Sequence, residues 1–226
     1  MASENQYDKK AAEYMDTQKK FYSDKEDGSR KNLYEMLDFL LEGKKVLDVG
    51  CGFGKDLAYF KKKGAIIYGI DSSEEMIKLA KENNPDIDNI SLQSFEKTDF
   101  ADDFFDLVFS RYALHYADDI DKGYKEMHRI LKSGGYMIIL VSHPLLSFVA
   151  KKDRNYYKKE KVKVPIYGGS CILEWWSKRI TDFLSPFLLE NFDLLKLFEE
   201  EMDDARNEDN FPELVPDYMI LKLRKR

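Results

Sequence analysis

The sequence predicts an α/β fold in which a mostly parallel sheet carries helices on both faces. Two observations lead to this prediction. Short apolar runs alternate along the chain with amphipathic stretches of helical period, an order typical of a parallel sheet. The first run, KVLDV at 45–49, is followed by glycines at alternate positions, Gly50, Gly52 and Gly54. Because glycine tolerates sharp turns and the close approach of a ligand, a binding site is expected at this turn.

The order of elements supports the fold prediction along the whole chain. Strands are predicted at 45–49, 65–70, 89–93, 104–110, 136–142, 191–200 and 217–224. Hydrophobic periodicity predicts helices at 6–22, at 30–42, from the glycine turn to about Lys63, from Ser72 or Ser73 to about Lys81, and at 118–131. A further helix is predicted from about Leu173 to Leu189, with Pro186 ending or kinking it.

The composition limits the classes of partner. The chain has 226 residues, a net charge of −6 and an isoelectric point near 5.3. Such an acidic balance argues against binding a nucleic-acid backbone, which usually needs a basic face. The two cysteines and three histidines have no metal-ligand spacing, so no metal site is expected. The first ten residues lack the apolar segment of a signal peptide, and no apolar run reaches membrane-spanning length. These two features predict a cytoplasmic protein without membrane contact.

Two acids near the glycine turn indicate the ligand. Asp71 ends the second predicted strand, 21 residues after Gly50, where an acid accepts hydrogen bonds from ribose hydroxyls. The dinucleotide fingerprint G-x-G-x-x-G fails, because Lys55 stands at the third glycine. Asp48, just before the turn, would repel a pyrophosphate but suits an ammonium group. A ligand that combines adenosine with a zwitterionic amino acid is S-adenosylmethionine, and we predict this cofactor.

Four segments together resemble the class I S-adenosylmethionine-dependent methyltransferases, in particular the broad small-molecule branch sometimes called type 11. In order, they read VLDVGCGFGKD, YGIDSSEEMIKLAK, SLQSFEKTDFADDFFDLVFSRYALHY and RILKSGGYMIILVSHP. The resemblance is clear over about residues 7–144. It implies a Rossmann-like three-layer sandwich whose mostly parallel seven-stranded sheet has an antiparallel last strand. It also implies a helical N-terminal cap and an insertion after the fifth strand.

The resemblance implies a single methyltransferase domain over 1–226. Residues 1–43 are expected to form the helical cap and 44–142 the cofactor-binding core. Residues 143–190 are expected to form a lid or substrate insertion, and 191–226 the closing strands. We place the insertion over the open end of the sheet, where the specificity loops of such folds lie.

The resemblance also implies roles for single residues. The glycine turn and its acid hold the methionine end, the acid ending the second strand holds the ribose, and Met76 packs on adenine. Arg30 or Arg111 is expected to pair with the methionine carboxylate. Ser94 stands where the family usually has an acid, which leaves the adenine edge to the backbone N–H of Phe95. The implied cofactor-binding residues are Asp48, Gly50, Cys51, Gly52, Asp71, Ser72, Met76, Ser94, Phe95, Ser110 and Arg111.

Methyl transfer from a sulfonium is a direct displacement, so its catalysis consists mostly of alignment and exclusion of water. A base is needed only when the acceptor must lose a proton. The catalytic candidates are His115 after the fourth strand, His143 after the fifth, and Tyr14 on the first helix. Each also has a structural explanation: a satisfied loop histidine, a turn before a proline, and a helix packing contact.

The leading prediction is an enzyme that methylates a small molecule and releases S-adenosylhomocysteine, and three other functions stay open. A nicotinamide-dependent dehydrogenase has a similar fold, but the glycine spacing and Asp48 count against it. A non-catalytic protein that binds S-adenosylmethionine or S-adenosylhomocysteine would need no acceptor site. A methyltransferase acting on RNA or protein is disfavoured by the acidic balance and by SRYALHY at the fourth strand, in place of N/D-P-P-Y/F. Neither the acceptor atom nor the choice between monomer and homodimer can be read from the residues.

Overall fold

A seven-stranded sheet forms the middle layer of the protein, whose computed structural model describes residues 6–8, 10–23, 27–200 and 215–226. The described strands are β1 (Lys45–Val49), β2 (Ile66–Asp71), β3 (Ile90–Leu92), β4 (Phe105–Arg111), β5 (Leu131–Ser142), β6 (Lys161–Ile166), β7 (Cys171–Trp176), β8 (Phe192–Glu200) and β9 (Tyr218–Lys225). The large sheet has the order β3-β2-β1-β4-β5-β9-β8, and β6 pairs with β7 separately. Strands β1 to β5 pair in parallel, whereas β9 runs antiparallel to β5 and β8. The predicted fold class is confirmed.

Helices cover both faces of the large sheet. The described helices are α1 (Ala11–Phe21), α2 (Gly28–Glu35), α3 (Lys55–Lys62), α4 (Glu74–Asn83), α5 (Ile120–Ile130), α6 (Pro144–Val149), α7 (Ile180–Phe183) and α8 (Pro186–Asn191). One apolar layer joins the sheet to α2, α3 and α4, through residues such as Phe60 and Ala80. The other joins it to α5, α7 and α8, through residues such as Tyr124 and Leu188. Burial of these two layers fixes the three-layer arrangement.

The helix predicted from Leu173 to Leu189 is wrong. Strand β7 occupies its first part and pairs antiparallel with β6. The residues of β7 alternate between two faces: Leu173 and Trp175 are buried, whereas Ile172 and Trp176 are exposed. That period of two is the strand pattern, and branched and aromatic side chains favour it.

Two other helix boundaries differ from the prediction. Pro186 was expected to end or kink a helix, but it stands in the first turn of α8, behind the capping hydroxyl of Ser185. Proline is tolerated there because the first helical N–H groups need no partner within the helix. The second predicted helix, 30–42, begins earlier and ends at Glu35; nothing in the structure explains this early end.

Two regions far apart in the sequence lie together over the carboxyl edge of the sheet. We call residues 6–8 and 10–23 the cap, and residues 161–176, comprising β6, β7 and their turn, the hairpin. Tyr7 and Tyr14 of the cap pack against the apolar inner face of the hairpin. The side chain of Gln6 also exchanges hydrogen bonds of 3.2 Å with both backbone groups of Glu174. The cap and the hairpin therefore form one cover.

Within the described ranges, none of the helices combines the length and the apolar character that a membrane span requires. In the same part of the chain, no three His, Cys, Asp or Glu residues cluster so that they could hold a metal ion. Cys51 and Cys171 are both free thiols.

Candidate functional site

The glycine turn is shaped so that only glycine fits its first position. Gly50, Gly52 and Gly54 have φ values of +71°, +53° and +85°, which side chains rarely adopt. A Cβ atom on Gly50 would also collide with the Cβ of Ala113. A Cβ atom on Gly52, by contrast, would meet nothing closer than the Sδ of Met76 at 4.0 Å, and both glycines line the cavity described next.

A main cavity of about 1030 Å³ opens above this turn. Its walls come from the ends of β1, β2 and β4, from the cap and from the hairpin. The volume lies in the range typical of sites for small molecules and cofactors. The predicted site residues that line it are Tyr14, Gly50, Cys51, Gly52, Asp71, Ser72, Met76, Phe95 and Arg111.

Asp71 is held by the glycine turn itself. Its carboxylate accepts hydrogen bonds of 2.9 Å from the backbone N–H groups of Gly52 and Ser73. Burial raises the pKa of this carboxyl, although the backbone hydrogen bonds oppose that shift. Each carboxylate oxygen has a second lone pair, so Asp71 can still accept hydrogen bonds from two neighbouring hydroxyls on a ribose.

Ser94 and Ser110 do not line the main cavity. The hydroxyl of Ser94 accepts a hydrogen bond from the N–H of Glu96, and its neighbours Gln93 and Phe95 line the cavity. The buried hydroxyl of Ser110 donates to the carbonyl of Val49 at 2.9 Å, so it ties β4 to β1.

Asp48 lies behind the turn, outside the lining, and is 2% exposed. Its Oδ2 atom has no hydrogen-bond partner among the described residues. Burial raises the pKa of this carboxyl well above its usual value, and the nearby charge of Asp56 raises it further. A cation brought to the turn would lower this pKa and favour the carboxylate form.

A buried network of four charges lies in and behind the wall of the main cavity, and its two acids, Asp27 and Asp56, were not among the predicted site residues. Arg30 pairs with Asp27 at 2.5 Å and with Asp56 at 2.7 Å. Arg111 pairs with Asp27 at 3.5 Å and with Asp56 at 3.4 Å. Burial opposes the charge on Asp56, but the two arginines outweigh it and lower the pKa of its carboxyl. Both arginines also line the main cavity, so each can reach a carboxylate there.

A second, inner cavity of about 80 Å³ adjoins the main one and is walled mostly by aromatic rings. The two cavities share the lining residues Tyr7, Tyr14, Arg111, Tyr112, Tyr116 and Trp175. Tyr14, predicted as a catalytic candidate on the first helix, lines both cavities. Its hydroxyl accepts a hydrogen bond of 2.9 Å from Tyr167, which also lines the inner cavity.

His115 forms part of the wall of the inner cavity. It is 2% exposed, and its Nδ1 atom has no hydrogen-bond partner in the described part of the chain. Its ring lies 4.1 Å from that of Tyr116 and 5.0 Å from that of Trp175, between centroids. Burial lowers the pKa of this imidazole well below its usual value, and the charge of Lys178 adds to that shift. His115 is therefore neutral at pH 7.

His143 lies outside both cavities, which corrects its place among the catalytic candidates. Its Nδ1 accepts a hydrogen bond from the N–H of Leu145 and caps α6. Its Nε2 lies 2.7 Å from the carboxylate of Glu199 on the edge strand. With both ring nitrogens occupied, His143 acts as a structural link.

Comparison with known proteins agrees with this geometry. Residues 47–139 match the family model described as a methyltransferase domain. The chain is 36% identical over 137 residues to the ubiquinone/menaquinone biosynthesis C-methyltransferase UbiE of Geotalea uraniireducens, covering 57% of each chain. It is 34% identical over 133 residues to the demethylmenaquinone methyltransferase of Staphylococcus aureus (strain MRSA252), covering 56% of this chain and 54% of that one. The chain thus spans about half the length of these relatives.

Solved structures share the fold over most of the chain. A putative S-adenosylmethionine-dependent methyltransferase from Listeria monocytogenes superposes with a TM-score of 0.71 at 24% identity, covering 88% of this chain and 97% of that one. A chain from the complex of the Haloferax volcanii Trm112 activator with a putative methyltransferase gives 0.67 at 21% identity, covering 99% of both. The glycine turn, the buried acid behind it and the carboxylate of Asp71 fit S-adenosylmethionine. Residues 47–139 are therefore similar to the methyltransferase domain family, and the chain shares the fold of solved S-adenosylmethionine-dependent methyltransferases.

Proposed function

We propose that this protein transfers a methyl group from S-adenosylmethionine to a small, largely apolar acceptor with one ionisable group. One observation carries this proposal: the aromatic inner cavity adjoins the main cavity and shares six wall residues with it. A cofactor site alone would serve a sensor equally well. A second, chemically different space beside it is what an acceptor needs.

The cofactor side supplies binding and orientation. We propose that Asp71 accepts hydrogen bonds from the ribose, that Met76 packs on the adenine and that Arg30 or Arg111 meets the carboxylate. Bound S-adenosylmethionine supplies an electrophilic methyl group on a sulfonium. The rings of Tyr14 and Tyr116, shared by both cavities, would line the path between donor and acceptor and exclude water from it.

We propose that His115 accepts the proton that the acceptor loses. Its low pKa keeps the imidazole neutral, so a basic nitrogen is available at pH 7. The unpartnered Nδ1 is the atom we assign to this step, with the tautomer that leaves Nδ1 unprotonated. The rings of Tyr116 and Trp175 pack around the imidazole, with centroids 4.1 Å and 5.0 Å from its own, and hold it in place.

The acceptor class follows from the chemistry of the inner cavity. Its volume of about 80 Å³ admits a small substituent or the edge of a ring rather than a whole ring system. The tyrosine hydroxyls nearby are paired with one another, as in the 2.7 Å contact between Tyr7 and Tyr116. A hydroxylated planar ring suits these walls, and the names of the quinone-methylating relatives agree with that class.

The first experiment is a calorimetric titration with S-adenosylmethionine, followed by an acceptor screen. The panel contains hydroquinones, phenols, alkyl amines, carboxylic acids and an oligoribonucleotide. We expect binding of the cofactor, release of S-adenosylhomocysteine and a gain of one methyl group on a hydroxylated ring. Cofactor binding without turnover on any acceptor would support a non-catalytic binding protein. Turnover on the oligoribonucleotide alone would contradict the small-molecule proposal.

A further inference from the structure

The segment that leads into the hairpin carries a concentration of positive charge. Residues 151–163 contain seven lysine or arginine residues and two acids, a balance of +5 in a chain whose net charge is −6. Lys152, Lys158 and Lys159 of this stretch are exposed. The remainder of the protein is correspondingly more acidic, so the charge is segregated on the molecule rather than spread over it.

Aromatic side chains are exposed within the same surface. Tyr157 is 80% exposed and Trp176 is 36% exposed. The ammonium group of Lys159 lies 5.7 Å from the ring centroid of Trp176. Tyrosine and tryptophan beside lysine, with rings and charges on one face, are characteristic of proteins that lie at a membrane interface.

This surface borders the mouth of the main cavity. Trp176, Lys161 and Ile172 line that cavity on the outward face of the hairpin. Lys159 donates to the carbonyl of Asp118 at 3.2 Å, and Asp118 lines the cavity as well. We call residues 151–163 together with Trp176 the basic lip.

We propose that the basic lip docks on an anionic lipid bilayer and sets the mouth of the main cavity against it, so that the acceptor enters from the membrane. This inference rests on the proposed function in one respect, since only an apolar acceptor would be dissolved in a bilayer. It replaces the expectation of no membrane contact. A single-stranded nucleic acid fits less well, because Tyr157 packs edge-on against Tyr156 and Trp176 lies beside the ammonium group of Lys159, whereas stacked bases need open ring faces.

Vesicle sedimentation tests the charge of the basic lip. The full chain is spun with vesicles of phosphatidylcholine alone or with phosphatidylglycerol, at low and high salt. We expect binding only to the anionic vesicles and a loss of binding as salt rises. Each basic side chain near such a surface is worth about fivefold in affinity, so K152Q/K158Q/K159Q should bind about 100-fold more weakly. The control K62Q/K78Q/K81Q removes the same charge from exposed lysines elsewhere and should bind normally.

Quenching of tryptophan fluorescence tests whether the basic lip faces the bilayer. The chain has two tryptophans, and Trp175 is buried in the hairpin whereas Trp176 is not. Anionic vesicles with brominated acyl chains should quench the fluorescence of the wild type and of W175F. Quenching should be lost in W176F. If W176F is quenched as strongly as W175F, the lip does not face the bilayer.

Three results would overturn the inference: no sedimentation of the wild type with anionic vesicles, equal binding of K152Q/K158Q/K159Q and its control, or displacement from vesicles by an oligoribonucleotide that binds more tightly. Calorimetry with S-adenosylmethionine separates this failure from failure of the proposed function. If the wild type binds the cofactor but no vesicle, the membrane proposal is wrong and the proposed function stands. If the K152Q/K158Q/K159Q variant still binds the cofactor, it has folded, and a loss of vesicle binding is then due to the missing charges.

Discussion

The two sides of the site are held in different ways. On the cofactor side, neighbouring strand ends and backbone N–H groups fix the carboxylate of Asp71 and the glycine turn. On the acceptor side, the walls are side chains brought from the cap, the loop after β4 and the hairpin, linked by contacts such as that between Tyr14 and Tyr167. The backbone of the glycine turn is fixed by the strands that it joins, and few residue types can replace its glycines. Walls made of side chains can change one residue at a time, so the inner cavity can be altered without disturbing the glycine turn.

The largest expected effect lies on the acceptor side. His115→Asn should lower turnover by about 10²- to 10⁴-fold, the usual contribution of a positioned base. Affinity for S-adenosylmethionine should stay near the wild-type value, because His115 does not line the main cavity. Steady-state kinetics and calorimetry measure the two quantities separately. H143N is the control, and it should lower stability rather than turnover, because both nitrogens of His143 serve the fold.

The pH profile of the wild type checks the same assignment. A base with the usual histidine pKa of about 6.5 would lose activity as the pH falls through that value. Burial lowers the pKa of His115, so the imidazole stays neutral at lower pH. The acid limb of kcat/KM should therefore lie below pH 6.5. A limb at or above that value that disappears in H115N would contradict the shift.

On the cofactor side, two neighbouring acids should respond in opposite directions. Asp56→Asn leaves two buried arginines without a full counter-charge and should lower the free energy of unfolding by about 3–5 kcal/mol at pH 7. The pKa of Asp56 is lowered, so its contribution is present above the unfolded value of about 3.9 and lost as the pH falls.

Asp48 supplies the matched comparison. Its pKa is raised, so ionisation costs the folded state stability as the pH rises above about 3.9. Asp48→Asn should therefore leave stability at pH 7 unchanged or higher, while weakening affinity for S-adenosylmethionine. Urea denaturation at several pH values measures the first effect and calorimetry the second. Equal destabilisation by D48N and D56N would remove the distinction drawn between the two acids.

Alanine substitutions at two glycines distinguish the stability cost of a positive φ from that of a steric clash. Gly50 and Gly134 have similar φ values, +71° and +73°. A Cβ on Gly50 meets Ala113, whereas a Cβ on Gly134 meets nothing within 4 Å. Gly50→Ala should therefore cost about 1–3 kcal/mol more than Gly134→Ala, the usual penalty of overpacking. Equal losses in chemical denaturation would show that the turn can move away from Ala113.

The smallest expected effect concerns the cover. Tyr7→Phe and Tyr116→Phe each remove one hydroxyl from a 2.7 Å hydrogen bond, worth about 1 kcal/mol. The double variant should cost little more than either single one, because both remove the same bond. A raised KM for the acceptor with unchanged cofactor affinity would place the effect on the acceptor side. Additive losses would mean that the two hydroxyls act separately.

The positions of the residues around the glycine turn could be predicted from the sequence more fully than those around the inner cavity, and the reason is physical. Gly50 and Asp71 are close in the chain and sit at strand ends, where local pattern determines position. Ser94 lies outside the lining of the main cavity, whereas its neighbours Gln93 and Phe95 line it. The pairing of Asp27 with Arg111 and the strand at Trp175 depend on contacts between distant segments, and no local pattern encodes those.

The network of Arg30, Arg111, Asp27 and Asp56 has an evolutionary consequence. Loss of any one member leaves an uncompensated charge in a buried place, which is costly, whereas exchange of an entire pair for apolar residues is often tolerated. These positions should therefore change together across relatives and seldom alone. Few single substitutions in the network are tolerated, because variants that carry three of the four charges are the least stable.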